Sequence, residues 1–591
     1  MTDNRALTAR RIREDAAELA YQRHHPAHQA NGDEQRLASV NYAMSFTKGL
    51  DHDPVTGLVN EPRHFEAFRG AIDEGRAEAF TTRVPVPLPA PGDDFGRRQW
   101  EAPTAGVVYD LEGPDAQAVT MAPAPPLGSD ELAFEMAEVY ELALVRDVPF
   151  HLFDAAGGAG SAPITAGIDR MNALPYAQAG FPGRPRKTEG GALTLQTVFR
   201  GSSPGVDEGP YLSQFMLMGT AFPGEAGITL PEHLERGQIA YGAQCIPQKV
   251  LTAEKELDFM QDKDNWLHVQ QGFTPLEEAV ISTEKRFINT PRDLATYVHF
   301  DALYQAYLNA TLMMLNLGTP FDPGFAALSG MRPIYDLNPS MDGRHLNAGG
   351  FALYGGPHIL TLVTEVATRA LKAVRFQKFN NHLRARPEAL AGRIQCAEEI
   401  ECAHQTACGA FSDLRDGISD TVDAVREFNN DRVGLSTALL PMAFAEGSPM
   451  HPAYGAGHAT VAGACVTILK AYFDCGARLG VNPDGSHGFF KDIVNDSGFF
   501  YESMNHGAEL AKKQIHCPLS LEGELNKLAA NISIGRNMAG VHYFTDYYDS
   551  LRMGEEIAIG MLEEQALCYP TDHFALSVPK FDGGVVRIGR R

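Results

Sequence analysis

Positive charge is in short supply in this 591-residue chain: 50 Lys and Arg stand against 74 Asp and Glu, a formal net charge of −24. A phosphate backbone or an anionic membrane would be repelled over most of such a surface. Nucleic acid and membrane are therefore set aside as main partners, and any anion site has to be a local basic pocket in an acidic body. Cysteine is sparse as well. The eight cysteines form no CxxC pair, and Cys396, Cys402 and Cys408 fall six apart, a spacing that does not converge on one helix face. In a chain this long they read as buried free thiols and not as a disulfide framework. No run of about 18 apolar residues occurs, so no membrane span is expected. The start, MTDNRALTARRIREDAAELA, carries charges where a secretory signal needs an apolar run. The chain is expected to be cytoplasmic, with non-classical export left open. A dinucleotide fingerprint, a Walker loop and a haem attachment motif are all missing, and strand-like alternation is scarce.

What is present is helical. Apolar residues recur at helical spacing over Leu7 to Gln22, Asp130 to Val145, Tyr297 to Leu317, Ile359 to Phe379, Glu388 to His404, Ala459 to Phe473, Leu521 to Ile534 and Tyr548 to Leu562. Loops rich in Pro and Gly join them, which predicts a mostly α architecture of long helices with elaborate connections. Residues 1–230 form an N-terminal helical and loop-rich region, and 231–591 a helical-bundle region that holds the candidate chemistry. The run VPVPLPAPGDDFGRRQWEAPTAG, from Val84 to Gly106, reads as an extended arm over a surface, and 155–210 as a long surface excursion.

Three stretches carry residues suited to an oxyanion. HPAYGAGHATVAGACVTILKAYF, His451 to Phe473, places Gly455, Ala456, Gly457 and His458 at a predicted helix start, where bare N–H groups and the dipole attract an anion. His458 is then a neutral base at a helix N-terminus, with His451 near the same pocket. In KFNNHLRARPEAL, Lys378, His382 and Arg386 fall at i, i+4 and i+8. On a continuous helix they drift about 40° per step and fringe one side. In NISIGRNMAGVHYFTDYYD, Gly535 and Gly540 invite a break between Arg536 and His542, and Asp546 sits four residues past His542, placed to hold one ring nitrogen and leave the other free. Read singly, each has a plain alternative: a tight turn with a satisfied histidine, a solvated basic face, a surface ion pair. Together they supply two guanidinium groups, an ammonium, a backbone amide and two histidines for a tetrahedral or trigonal-bipyramidal oxyanion.

The order Lys-x7-Arg-Pro, Gly-x-Gly-His, Arg-x5-His-x3-Asp resembles the vanadium-dependent haloperoxidases, and more closely their red algal and cyanobacterial bromoperoxidase branch. RFQKFNNHLRARPEAL, VHFDALYQAYLNA and RIREDAAELAYQRHHPAHQANGDE extend the likeness well beyond the motifs. The resemblance implies a mostly α fold with two four-helix bundles and a vanadate bound to His542. By motif position Lys378, Arg386, Arg536 and the Gly457 amide hold its oxygens. His458 is the acid/base for peroxide, Lys378 the group that polarises it, and His451 the residue that favours bromide, with iodide easier and chloride disfavoured. It also implies hydrogen peroxide, halide and small organic molecules as substrates, homo-oligomers (dimers or dodecamers) and structural calcium, for which PSMDGRHLNAGG is the stretch considered. Asp301, in VHFDALYQAYLNA, matches a carboxylate expected behind Arg536.

The chain departs from the family at one position. Ala456 stands where the family's motif has serine, so one hydroxyl donor is missing and weaker vanadate binding or an altered rate is expected. The same motif order also resembles helical acid phosphatases, in which His542 would attack phosphorus and His458 would protonate the leaving group. That phosphomonoesterase reading stays open beside the peroxidase one, as does a non-redox member of the family.

Overall fold

In the computed structural model, which describes residues 4–154, 158–177, 183–222, 230–325, 350–483, 485–494, 498–569 and 575–589, helices dominate. Those that place the site are α1 (Asp130–Leu144), α2 (Pro291–Phe300), α3 (Gln305–Asn316), α4 (Gly356–Phe376), α5 (Pro387–Gln395), α6 (Gly457–Tyr472), α7 (Leu521–Met538) and α8 (Phe544–Ala566). Helix α6 is the axis of the molecule, with every residue buried except His458. Its small residues explain why. A Cβ on Gly463 would lie 1.9 Å from the Leu551 carbonyl oxygen of α8, and one on Gly554 would lie 2.0 Å from the Thr460 oxygen of α6. The two backbones thus touch through reciprocal glycines, an approach no larger residue permits.

The helix bounds follow the periodicity closely, with two informative exceptions. Tyr297 to Leu317 is two helices, because the chain turns extended at Asp301 (φ −67°, ψ 150°) between α2 and α3. Glu388 to His404 is likewise divided, α5 ending at Gln395 and a second helix covering Ala397–Ala403. Among the described residues the scarce strand signal hides eight short strands: β1 (Gln238–Tyr241) with β2 (Gln244–Pro247), the antiparallel sheet β4-β3-β5-β6 built from β3 (Arg478–Val481), β4 (His487–Phe490), β5 (Gly498–Met504) and β6 (Glu509–Ile515), and β7 (Ala575–Pro579) with β8 (Val585–Gly589). The sheet is inserted between α6 and α7, away from the glycine turn that opens α6.

The segment 155–210 is not the surface excursion expected. Its described part includes a helix, Ala162–Asn172, and buries Ile164, Val198, Phe199 and Val206 in the main apolar cluster. Hydrophobic side chains spaced among Gly and Pro anchor it without any periodic signature. The cysteines differ too: all are free, but only Cys396 and Cys465 are buried, and Cys245, Cys402, Cys408, Cys517 and Cys568 are exposed. Among the described residues no helix is long and apolar enough to cross a membrane. The stretch considered for calcium falls on 339–350, of which 339–349 lie outside the described residues.

Candidate functional site

The site forms where three chain breaks meet. At the end of α7, Gly540 takes φ +83°, and the Val541 N–H reaches the Arg536 carbonyl while the Gly540 N–H reaches that of Asn537. This paired C-terminal cap reverses the chain. It leaves Arg536 on the last turn of α7 and His542 just beyond it. Helix α4 does not continue to Arg386 as the i, i+4, i+8 spacing assumes. It passes into a π-helical turn, Gln377–His382, then left-handed Leu383 (φ 44°), then extended backbone to Arg386 (ψ 157°). Pro387 disfavours helical backbone at Arg386, which keeps that residue extended at the start of α5. Lys378 and Arg386 still converge, but His382 is carried away: its ring packs on Tyr454 at 4.6 Å, and burial pulls its pKa to about 3.

His451, Gly457, His458, Arg536 and His542 line one cavity of about 250 Å³, and Lys378 and Arg386 lie behind that wall. Arg386 donates to Nε2 of His542 (3.0 Å) and to Nδ1 of His451 (2.6 Å). A guanidinium only donates, so both acceptor nitrogens carry lone pairs and the tautomers are fixed. His542 then holds its proton on Nδ1, 2.8 Å from Oδ2 of Asp546. His451 holds its proton on Nε2, which faces Oε2 of Glu101 at 3.4 Å. Burial first, then the surrounding cations, keep both imidazoles well below their ordinary range.

The cations here lack counter-ions. The Lys378 ammonium donates only to the Pro452 and Ala453 carbonyls, at 2.7 and 3.2 Å. Arg386 meets the His451 and Val541 carbonyls and the two imidazoles. Arg536 donates through Nη1 to the Val298 carbonyl, and its buried Nε has no partner. Among the described residues no carboxylate forms an ion pair with any of the three, and burial lowers the pKa of each, that of Arg386 to about 9. Three cations packed together without a carboxylate fit a multiply charged oxyanion. Among the described residues no group of three or more His, Cys, Asp and Glu is placed to hold a metal cation.

Asp301 departs from its expected place. Its Oδ1 lies 3.1 Å from Nε2 of His458, and it makes no ion pair with Arg536, although its charge does act on that guanidinium. The chain break between α2 and α3 turns the carboxylate toward α6. Burial lowers the His458 pKa and Asp301 partly opposes that. Ala456 is fully buried at the helix cap, with no side-chain cap of its own. Its N–H donates to Oγ of Ser550 (2.8 Å).

Several lining residues had no separate sequence signal. Arg375, on the last turn of α4, stands 3.7 Å from Glu101, and burial lowers its pKa. Arg98 and Glu101 come from the Pro- and Gly-rich arm, which reaches the cavity mouth and is not a mere drape. His299 lies 3.0 Å from Glu446 and stacks on Phe444. Burial raises the Glu446 pKa, but the hydrogen bond and charge of His299 outweigh it and bring it to about 2. A second layer also went unread: Asp546 accepts from Arg384 at 2.9 Å, and Arg384 also pairs with buried Glu135 of α1.

Comparison with known proteins accords with this geometry. No family model matches the chain. It is 40% identical to a vanadium-dependent bromoperoxidase of Corallina pilulifera over 99% of this chain and 98% of that protein. The Corallina officinalis bromoperoxidase matches at the same identity and coverage, and that of Ascophyllum nodosum at 30% over 93% of this chain and 87% of its own. The structure of a second, homohexameric vanadate-dependent bromoperoxidase from Ascophyllum nodosum superposes with a TM-score of 0.77, at 25% identity, over the whole of this chain and 91% of that one. With likeness running end to end in both sequence and fold, the chain belongs to the vanadium-dependent bromoperoxidases.

Proposed function

We propose that this chain binds vanadate and uses hydrogen peroxide to oxidise bromide, and iodide more readily, to the hypohalous acid, which then halogenates small organic molecules. The observation that carries the proposal is the set of Lys378, Arg386 and Arg536, buried with no carboxylate ion pair among the described residues, with Arg386 on Nε2 of His542 and the charges of all three acting on that imidazole. When bound, vanadate supplies Lewis acidity that activates peroxide toward a halide, with no change in the metal's oxidation state.

The protein's own part is electrostatic and protonic. His542 would offer as the ligand the Nε2 lone pair that Arg386 meets at 3.0 Å, the guanidinium turning to the oxyanion instead, while Asp546 holds the other nitrogen and so fixes the ring. Lys378, Arg386 and Arg536 neutralise oxyanion charge in a site where burial makes such pairing strong. The amide of Gly457, first in α6, adds a donor aided by the helix dipole. His458 is the proton carrier: Asp301 holds its Nε2 and orients the ring, and the imidazole would take up and return the proton that peroxide loses. The sum is H2O2 + Br⁻ + H⁺ giving HOBr + H2O, in which bromide loses two electrons and the O–O bond receives them. His451, fixed between Arg386 and Glu101, borders the space a halide would cross and favours bromide.

Homo-oligomeric assembly is part of the proposal. It is supported by the homohexameric Ascophyllum nodosum relative and by Tyr21, Tyr109 and Leu111, large apolar side chains left exposed. The test of function is bromination of a 1,3-diketone dye by metal-free protein with peroxide and bromide, before and after orthovanadate, with phosphate as competitor. Activity that appears only with vanadate and is suppressed by phosphate is the expected result. Hydrolysis of phosphate esters without bromination would instead place the chain with the phosphatases.

A further inference from the structure

A second cavity, of about 500 Å³, lies on the other side of the turn that joins α2 to α3. Phe300, Asp301 and Gln305 face it, while Leu303 of the same turn faces the oxyanion cavity. Phe300 and Tyr304 on that turn are exposed, so both cavities open beside one short rim. The walls are mostly apolar, with Ile246, Val250, Ile281 and Tyr297 prominent among them. Of the polar groups there, the Thr296 hydroxyl donates to the Arg292 carbonyl and Oδ1 of Asp301 holds His458, while the buried Oδ2 of Asp301 has no hydrogen-bond partner and leaves one carboxylate in the lining.

Two cations complete the lining, Lys249 and Lys285. Lys249 donates to the Ala508 carbonyl and lies over the Phe287 ring. Among the described residues neither forms an ion pair, in a chain whose net charge is −24. An apolar cavity edged with two positive charges is complementary to a small organic anion with an aromatic or apolar body.

We infer that this cavity holds the organic acceptor as a phenolate or the enolate of a 1,3-dicarbonyl, its ring among Val250, Tyr297 and Phe300 and its charged oxygen toward Lys249 and Lys285. The inference rests on the peroxidase reading above and names the acceptor class. Lysines that favour the ionised acceptor raise its electron density at the carbon that reacts. Hypobromous acid leaving the oxyanion cavity crosses the rim at Phe300 to Tyr304 and meets that carbon. The C–Br bond forms as the O–Br bond breaks, and the departing hydroxide takes the ring proton to become water. The enzyme therefore directs the halogen to a held acceptor and does not only release it.

The test uses the vanadate-loaded protein with 2-naphthol as probe. Fluorescence titration without peroxide is expected to show one saturable site, weakened at least tenfold by Val250→Trp, which fills the cavity. Lys285→Glu, at an exposed position that folding tolerates, is expected to weaken 2-naphthol binding several-fold and to leave neutral naphthalene unaffected. In turnover, each variant should raise KM for 2-naphthol by the factor by which it weakens binding, with oxidation of iodide to triiodide, which needs no acceptor, unchanged. Absence of saturable binding, or an unchanged KM in both variants, overturns the inference. Loss of iodide oxidation in the unmodified protein, with naphthol binding intact, would instead bring down the peroxidase reading, and the acceptor role with it.

Discussion

Oδ1 of Asp301 lies 3.1 Å from Nε2 of His458, which ties the break between α2 and α3 to the first turn of α6. The carboxylate's charge opposes the burial that lowers the His458 pKa. Asp301→Asn removes that opposition, so the pKa falls further and the neutral imidazole persists to lower pH. The acid limb of the pH–rate profile should then move toward acid, by on the order of one pH unit. A limb that stays where it was would show that Asp301 does not act through His458.

Oxyanion binding should stabilise the fold. His451 and His542 are held well below the ordinary histidine pKa, so unfolding lets them take up protons. Their contribution is fully present above the unfolded value near 6.5 and is lost as pH falls below it. An anion that relieves the three buried cations acts in the stabilising direction at every pH where they are charged. At a hundred times its Kd, vanadate or phosphate should add about 2.7 kcal/mol. Thermal melts with and without each oxyanion measure this, and Arg536→Ala should shrink the increment.

The Asp546 carboxylate serves two partners, the Nδ1–H of His542 and the guanidinium of Arg384. Asp546→Asn keeps the shape and removes the charge. Vanadate affinity is expected to drop 10- to 100-fold, as estimated for the loss of a partner behind a metal-bound histidine. Titration of metal-free protein with orthovanadate, followed by activity, gives the number.

Ala456→Ser supplies a helix cap where the side chain now offers none. The cap should raise stability by about 1 kcal/mol. A hydroxyl reaching the oxyanion would add about 0.5 to 1.5 kcal/mol to vanadate binding, or about two- to tenfold in Kd. If melting rises while vanadate affinity and turnover stay fixed, the hydroxyl acts on the helix alone.

Glu101 stands at the cavity mouth between His451 and Arg375. A carboxylate there opposes an arriving halide. Glu101→Gln is expected to lower KM for bromide several-fold with a smaller change in kcat, and added salt should erode the difference. A KM for bromide that is insensitive to the substitution would place the halide path elsewhere.

Most of the long helices, and the residues proposed to carry the chemistry, were legible in the sequence. Helical periodicity in α4, α6, α7 and α8 is strong because each buries a wide apolar face, and that pattern is local. The Lys-Arg, Gly-His and Arg-His stretches were legible for the same reason: their spacing and residue types are contained within one segment. The tertiary structure alone decided how the segments meet. Arg98 and Glu101 belong to an arm with no periodicity, and they enter the cavity through contacts with residues more than 200 positions away, such as Glu446 and Arg375. Nothing near Asp301 in the sequence says that its partner is His458. The i, i+4, i+8 spacing assumed a continuous helix, and the π turn with Leu383 in the left-handed region sent His382 to Tyr454 and kept Lys378 and Arg386 together. A local pattern records which face is buried. Only the packed chain fixes what that face is buried against, and there the charges that tune a site are set.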